Sequence, residues 1–95
     1  MELICKLLSQ GQLEEREFTN SKGENVKFAS RGHLLAYGAD RIYAETVQEA
    51  ARSEAALEID KLYVATLSFS ARSWKDQQGK ERIELRCIIT KIIEL

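Results

Sequence analysis

Two stretches near the C-terminus alternate with a period of two, and a six-residue break joins them. Over residues 61–74, Tyr63, Ala65, Leu67, Phe69 and Ala71 share one parity, and Thr66, Ser68, Ser70, Arg72 and Trp74 share the other. Over residues 81–93, Ile83, Leu85, Cys87 and Ile89 fall on one parity. Side chains of a strand point alternately to its two faces, so this pattern specifies half-buried strands. The break, Lys75-Asp76-Gln77-Gln78-Gly79-Lys80, carries turn residues, so the two stretches form one long β-hairpin. The apolar parity assigns Leu67, Phe69, Ile83, Leu85 and Ile89 to the core, together with Phe28 and Leu34. Tyr63 joins them with its hydroxyl at the core's edge.

That assignment leaves the only Trp of the chain on the solvent face, beside Arg72 and Lys75. An exposed indole among cations is what stacking on a nucleic-acid base requires. The competing explanation is a ring folded over the strand end to cover the core edge.

Residues 2–8 read as a short strand, with Gly11 marking a bend or bulge before a charged strand over 13–19 that continues the first. Asn20 to Gly23 form a turn, with Gly23 supplying a positive φ. Residues 25–37 form a long strand, with Val26, Phe28, Gly32, Leu34 and Ala36 on one parity and Lys27, Arg31, His33 and Tyr37 on the other. Gly32 implies curvature or a bulge there. Alanines at 39, 44, 50, 51, 55 and 56 predict a helix over roughly 40–55, capped by Asp40. The expected fold is therefore all-β with one helix: a single domain over 1–95, built as a five-stranded OB-fold β-barrel with the helix between strands 3 and 4.

Net charge is −1, so no global basic field announces a nucleic-acid partner. The charge is uneven: residues 71–86 are mildly basic and residues 39–60 acidic. No apolar run approaches the about 20 residues of a membrane span, and Met1 to Lys6 lack the features of a signal peptide. A cytoplasmic location is expected. Cys5 and Cys87 lie in apolar strands and read as buried reduced thiols, without the further ligands of a metal site. The one His has no nucleophile at suggestive spacing, and no Gly-rich phosphate loop occurs, so neither catalysis nor a cofactor is expected.

Leu62-Tyr63-Val64, Leu67, the run Arg72 to Arg82 and the terminal Ile88 to Leu95 together resemble the bacterial single-stranded DNA-binding protein family. In that family the fourth strand ends in an R-x-W-x-D-x-x-G-x-x-R turn, which here reads Arg72, Trp74, Asp76, Gly79 and Arg82. Leu35 to Ala39 are similar to the family's third strand and helix entry. The resemblance extends over 60–95 and 33–52. It implies that Trp74 stacks on bases and that Arg72, Lys75 and Arg82 contact phosphates. Lys80 sits in the same turn, and Lys75, Lys80 and Arg82 also fit as solubilising residues of a hairpin. Tyr37, Arg31 and Lys27 extend the platform where their face of the third strand is exposed. The family's acidic tail has no counterpart here and the segment before the third strand is shorter, which marks a minimal or divergent member.

The function implied is sequence-tolerant single-stranded DNA binding in replication, recombination or repair, by a homo-oligomer (a dimer or tetramer). The exposed apolar residues Ile88, Ile92, Ile93 and Leu95 point to the subunit contact. The alternative is an OB-fold interaction module of a replication or mobile-element complex, which docks a replication, conjugation or recombination partner and binds little or no nucleic acid.

Overall fold

A computed structural model describes all 95 residues of the chain. Its six strands and one short helix run in the order β1 (Glu2–Gln10), β2 (Glu14–Thr19), β3 (Asn25–Tyr37), β4 (Asp40–Val47), α1 (Glu49–Arg52), β5 (Leu62–Lys75) and β6 (Glu81–Glu94). β1 and β2 both run antiparallel to β3 and are parted by a short break where the Gly11 N–H donates to the Gly32 carbonyl at 2.8 Å. β3 pairs with β4, β4 meets β6 in a single parallel contact at Glu45 and Ile88, β6 pairs with β5, and β5 returns to β1. Five strands therefore bond in a ring, with β2 outside it beside β3.

The expected long helix is not there, and the strand count is six rather than five. Residues 40–47 are a strand, so the helix lies between the fourth and fifth strands and spans only four residues. Asp40 opens β4 instead of capping a helix. The reason lies in residue type: Ile42, Tyr43, Thr46 and Val47 are β-branched or aromatic and pack best on a pleated surface. Of the six alanines that favour helix, four lie from Ala50 onward, after the strand has ended, and Ala44 packs within β4. The helix stops early because the chain is drawn inward at once: the Ser53 hydroxyl donates to the Glu49 carbonyl at 2.7 Å, and the next residue, Glu54, turns under the sheet.

Inside the ring, Leu3, Cys5 and Leu7 of β1, Leu35 of β3, Ala44 of β4, Tyr63, Ala65 and Leu67 of β5 and Ile89 of β6 form one apolar cluster. Tyr63 is buried as expected. Its hydroxyl donates to the Glu58 carbonyl and accepts from the Glu58 N–H at 2.9 Å, at the edge of the core. Burial raises the thiol pKa of Cys5 above its ordinary value, and that of half-buried Cys87 as well.

Two core expectations fail. On β3 the buried parity is Ala29, His33 and Leu35, while Phe28 and Leu34 on the other parity are only half-buried. On the hairpin, Phe69, Ile83 and Leu85 are 44 %, 75 % and 69 % exposed. The alternation is real, but β5 and β6 run past the ring and past anything that could cover them. β5 is buried at Tyr63, Ala65 and Leu67 and exposed from Ser68 onward.

Candidate nucleic-acid interface

The protruding half of the hairpin has two faces, fixed by an unbroken register from Leu67 opposite Ile89 to Lys75 opposite Glu81. One face carries Phe69, Ala71 and Ser73 with Cys87, Leu85 and Ile83. The other carries Ser70, Arg72 and Trp74 with Arg86, Glu84 and Arg82. Trp74 is 43 % exposed and belongs to no core cluster. Its ring packs instead under the Arg72 guanidinium, whose central carbon lies 5.1 Å from the ring centroid. That is cation–π distance.

The Trp74 face turns toward a groove whose other wall comes from the first half of the chain. On β2 and β3, Arg16 lies opposite Phe28 and Phe18 opposite Val26, so Arg16, Phe18 and Phe28 share a face. β4 adds Tyr43 and Glu45, and the hairpin adds Arg72, Glu84 and Arg86. The Arg86 guanidinium lies 5.4 Å from the Phe28 ring centroid, which ties the two walls together. Gly32 fits here for a spatial reason. A Cβ on it would collide with the Tyr43 ring, which lies across the bare backbone.

Four of the six charged side chains that line the groove are paired within it, and Glu14 and Arg16 are not. Arg72 Nε donates to Glu84 at 3.1 Å, Arg86 Nη2 to Glu45 at 3.2 Å and Arg82 Nε to Asp76 at 3.0 Å. Arg16 makes no ion pair in this structure, nor do Lys75 and Lys80. Asp76 builds the hairpin tip. One carboxylate oxygen accepts from the N–H groups of Gln78 and Lys80 at 2.9 Å each, and Gly79 closes the turn with φ of 76°. The Lys80 N–H, aided by Arg82 and the Gln78 N–H, holds the Asp76 carboxyl below the usual range.

Of the residues singled out in the sequence, the structure brings Trp74, Arg72 and Arg82 onto one face. Lys80 stands in the turn beside them. Lys75 lies opposite Glu81 on the Leu85 face of the hairpin. Lys27 lies opposite Glu17, on the side of β3 away from Phe28. Tyr37 is exposed at the other end of β3, at the turn into β4. Arg31 is not on an exposed face at all. Its guanidinium turns inward, with Nη2 donating to the Ala51 carbonyl at 3.3 Å and Nε buried 3.9 Å from Glu54. Sequence reasoning missed Arg16, Phe18, Tyr43 and Arg86. The signal for Arg16, Phe18 and Tyr43 was available in the parity of β2 and in reading 40–47 as a strand, which place them on the Phe28 side, and that for Arg86 in the hairpin register, which sets it on the Arg72 face.

His33 anchors the opposite, interior face of β3. It is 1 % exposed, with Nδ1 donating to the Ala44 carbonyl at 3.3 Å and Nε2 hydrogen-bonded to a Glu54 carboxylate oxygen at 2.6 Å. Glu54 also accepts from the Thr46 hydroxyl at 2.8 Å and from the Gln10 amide. This cluster fastens the segment after α1 to β1, β3 and β4, and reaches no part of the groove face.

Protein-family models and curated proteins were compared with the chain, and none of them matches.

Proposed function

We propose that the protein binds single-stranded DNA without sequence preference, through the groove that runs from β2 to the tip of the β5–β6 hairpin. The observation that carries this reading is a groove lined by three aromatic rings (Phe18, Phe28 and Tyr43) with Arg16, Arg72 and Arg86, whose hairpin face continues beyond it to Trp74 and Arg82. Aromatic rings accept any base by its π-face at about 1–3 kcal/mol per base, and the arginines follow the backbone. The ring of strand pairings, with β4 parallel to β6 and the helix between β4 and β5, supports an OB-fold barrel, in which such a groove is a frequent nucleic-acid site. The work this suits is transient cover of single strands in replication, recombination or repair, in the cytoplasm.

A homo-oligomer belongs to the same reading. Ile4, Val64 and Ile93 form a cross-strand row on the outside of β1, β5 and β6, flanked by exposed Leu62 and Leu95. Joining several weak sites would raise avidity. The second reading, a protein-docking module, is favoured by one observation: Phe69, Leu85 and Ile83 form an exposed apolar stripe on the other face of the hairpin.

Titration with oligo-dT tests the first reading, because the single Trp makes fluorescence a local probe of the groove. Quenching that saturates, and that weakens as salt rises, is expected. An unchanged spectrum and no binding at low salt would leave the docking module as the better account.

A further inference from the structure

Two of the groove's rings are already covered by the protein's own arginines, and each of those arginines is held by a carboxylate. Trp74 lies under Arg72, which Glu84 holds at 3.1 Å. Phe28 lies under Arg86, which Glu45 holds at 3.2 Å. The same triad of ring, guanidinium and carboxylate thus occurs twice on one surface, once at the hairpin tip and once where the hairpin meets β3 and β4. Each contact occupies something a nucleic-acid strand needs. The guanidinium takes a ring face from a base, and the carboxylate takes hydrogen-bond donors from a phosphate.

We propose that the groove is self-occupied, and that Glu45 and Glu84 set its affinity and selectivity by competing with the strand's phosphates. This rests on the reading of the groove as a single-strand site. Binding is then an exchange, in which a base replaces the guanidinium on the ring and a phosphate replaces the carboxylate on the guanidinium. The Arg72–Glu84 pair is largely exposed and the Arg86–Glu45 pair half-buried; ion pairs that water reaches are weak, so the exchange is readily reversible. A duplex offers phosphates without free base faces. It cannot make good the lost contact between guanidinium and ring, so the two carboxylates discriminate against it.

The test compares Glu45→Gln, Glu84→Gln and the double variant with wild type. Glu17→Gln serves as the control, since it removes the same charge from the other side of β2. Anisotropy of labelled oligo-dT and of a duplex of equal length reports binding without relying on Trp74. Each single variant should bind oligo-dT about two- to fivefold more tightly, the span expected from freeing one ion pair that water reaches. The slope of log K against log salt should steepen by about 0.7 for each freed arginine. Duplex binding should rise by a larger factor than oligo-dT binding. The control should leave the slope unchanged. Glu84→Ser, which also removes the carboxylate, should match Glu84→Gln, and thermal melts close to wild type verify that each variant folds. If wild type binds oligo-dT but the groove variants bind no tighter than the control, the exchange is wrong and the binding site stands. If no protein binds, the double variant included, the site itself is wrong and the exchange falls with it.

Discussion

Glu54→Ala should be among the most destabilising single changes on this chain's polar residues. The Glu54 side chain is 7 % exposed and accepts hydrogen bonds from His33 Nε2, the Thr46 hydroxyl and the Gln10 amide. Its removal takes an acceptor from donors on three different strands, of which only the Gln10 amide keeps another partner, the Ala55 carbonyl at 3.1 Å. A buried donor left unsatisfied costs about 1–3 kcal/mol, and water entering the vacated space will serve some of them. The expected loss is therefore about 3–5 kcal/mol, below the simple sum. For a domain of this size each kcal/mol lowers Tm by about 4–8 °C, so a fall of at least about 12 °C is expected. Glu54→Gln should lie between, because its amide keeps one acceptor but turns an N–H₂ toward another donor. Urea and thermal melts followed by circular dichroism measure both. A double-mutant cycle with Thr46→Val should show coupling of about 1 kcal/mol, since the two side chains share one hydrogen bond. A Glu54→Ala protein within about 1 kcal/mol of wild type would refute the claim that this cluster pins the post-helix segment to the sheet.

The end of the core along the hairpin gives a second expectation: Leu67→Ala and Ile89→Ala should cost about 2–5 kcal/mol, and Leu85→Ala and Ile83→Ala about 0.5 kcal/mol or less, in denaturant melts. Equal losses at all four positions would place the distal hairpin inside a core. Asp76 has a depressed folded-state pKa, so its stabilisation of the hairpin tip is full above the unfolded value of about 3.9 and is lost as pH falls through the folded value. Carbon-detected NMR should give a titration midpoint below the ordinary aspartate value, with faster Lys80 amide exchange beneath it; a midpoint at or above that value contradicts the hydrogen bonding seen. Gly32→Ala should swing the exposed Tyr43 ring aside at a cost of about 1 kcal/mol or less, visible as shifted Tyr43 ring resonances, because the obstruction is the far end of a side chain and not backbone. A much larger loss would mean that Gly32 serves strand curvature instead.

The hairpin, the limits of β3 and the turn at Gly23 were legible because they rest on period-two patterning and on residues with strong local preferences. Asn25 to Tyr37 form one strand as read, and Gly23 has φ of 78°. Misreading β4 had a physical cause. Alanine preference is informative only summed over a long window, and the window here joined a strand to the loop after it. Parity says which side chains share a face but not whether anything lies opposite. That is why Ile83 and Leu85 looked like core. A buried charged cluster such as Glu54 with His33 carries no local signal, since its members come from residues far apart in sequence. The groove was half legible: Trp74, Arg72, Arg82 and Arg86 fall within one hairpin, whereas Arg16, Phe18 and Tyr43 join them only through the β2–β3 and β3–β4 registers.

Trp74→Ala tests the central claim most directly, with oligo-dT affinity and thermal stability measured on the same preparation. An exposed stacking residue should lose about 1–3 kcal/mol of binding, roughly 5- to 150-fold in Kd, while stability changes by about 1 kcal/mol or less. Unchanged binding together with a clear fall in Tm would instead make Trp74 a structural cover, and would contradict the assignment of the groove to single-stranded DNA.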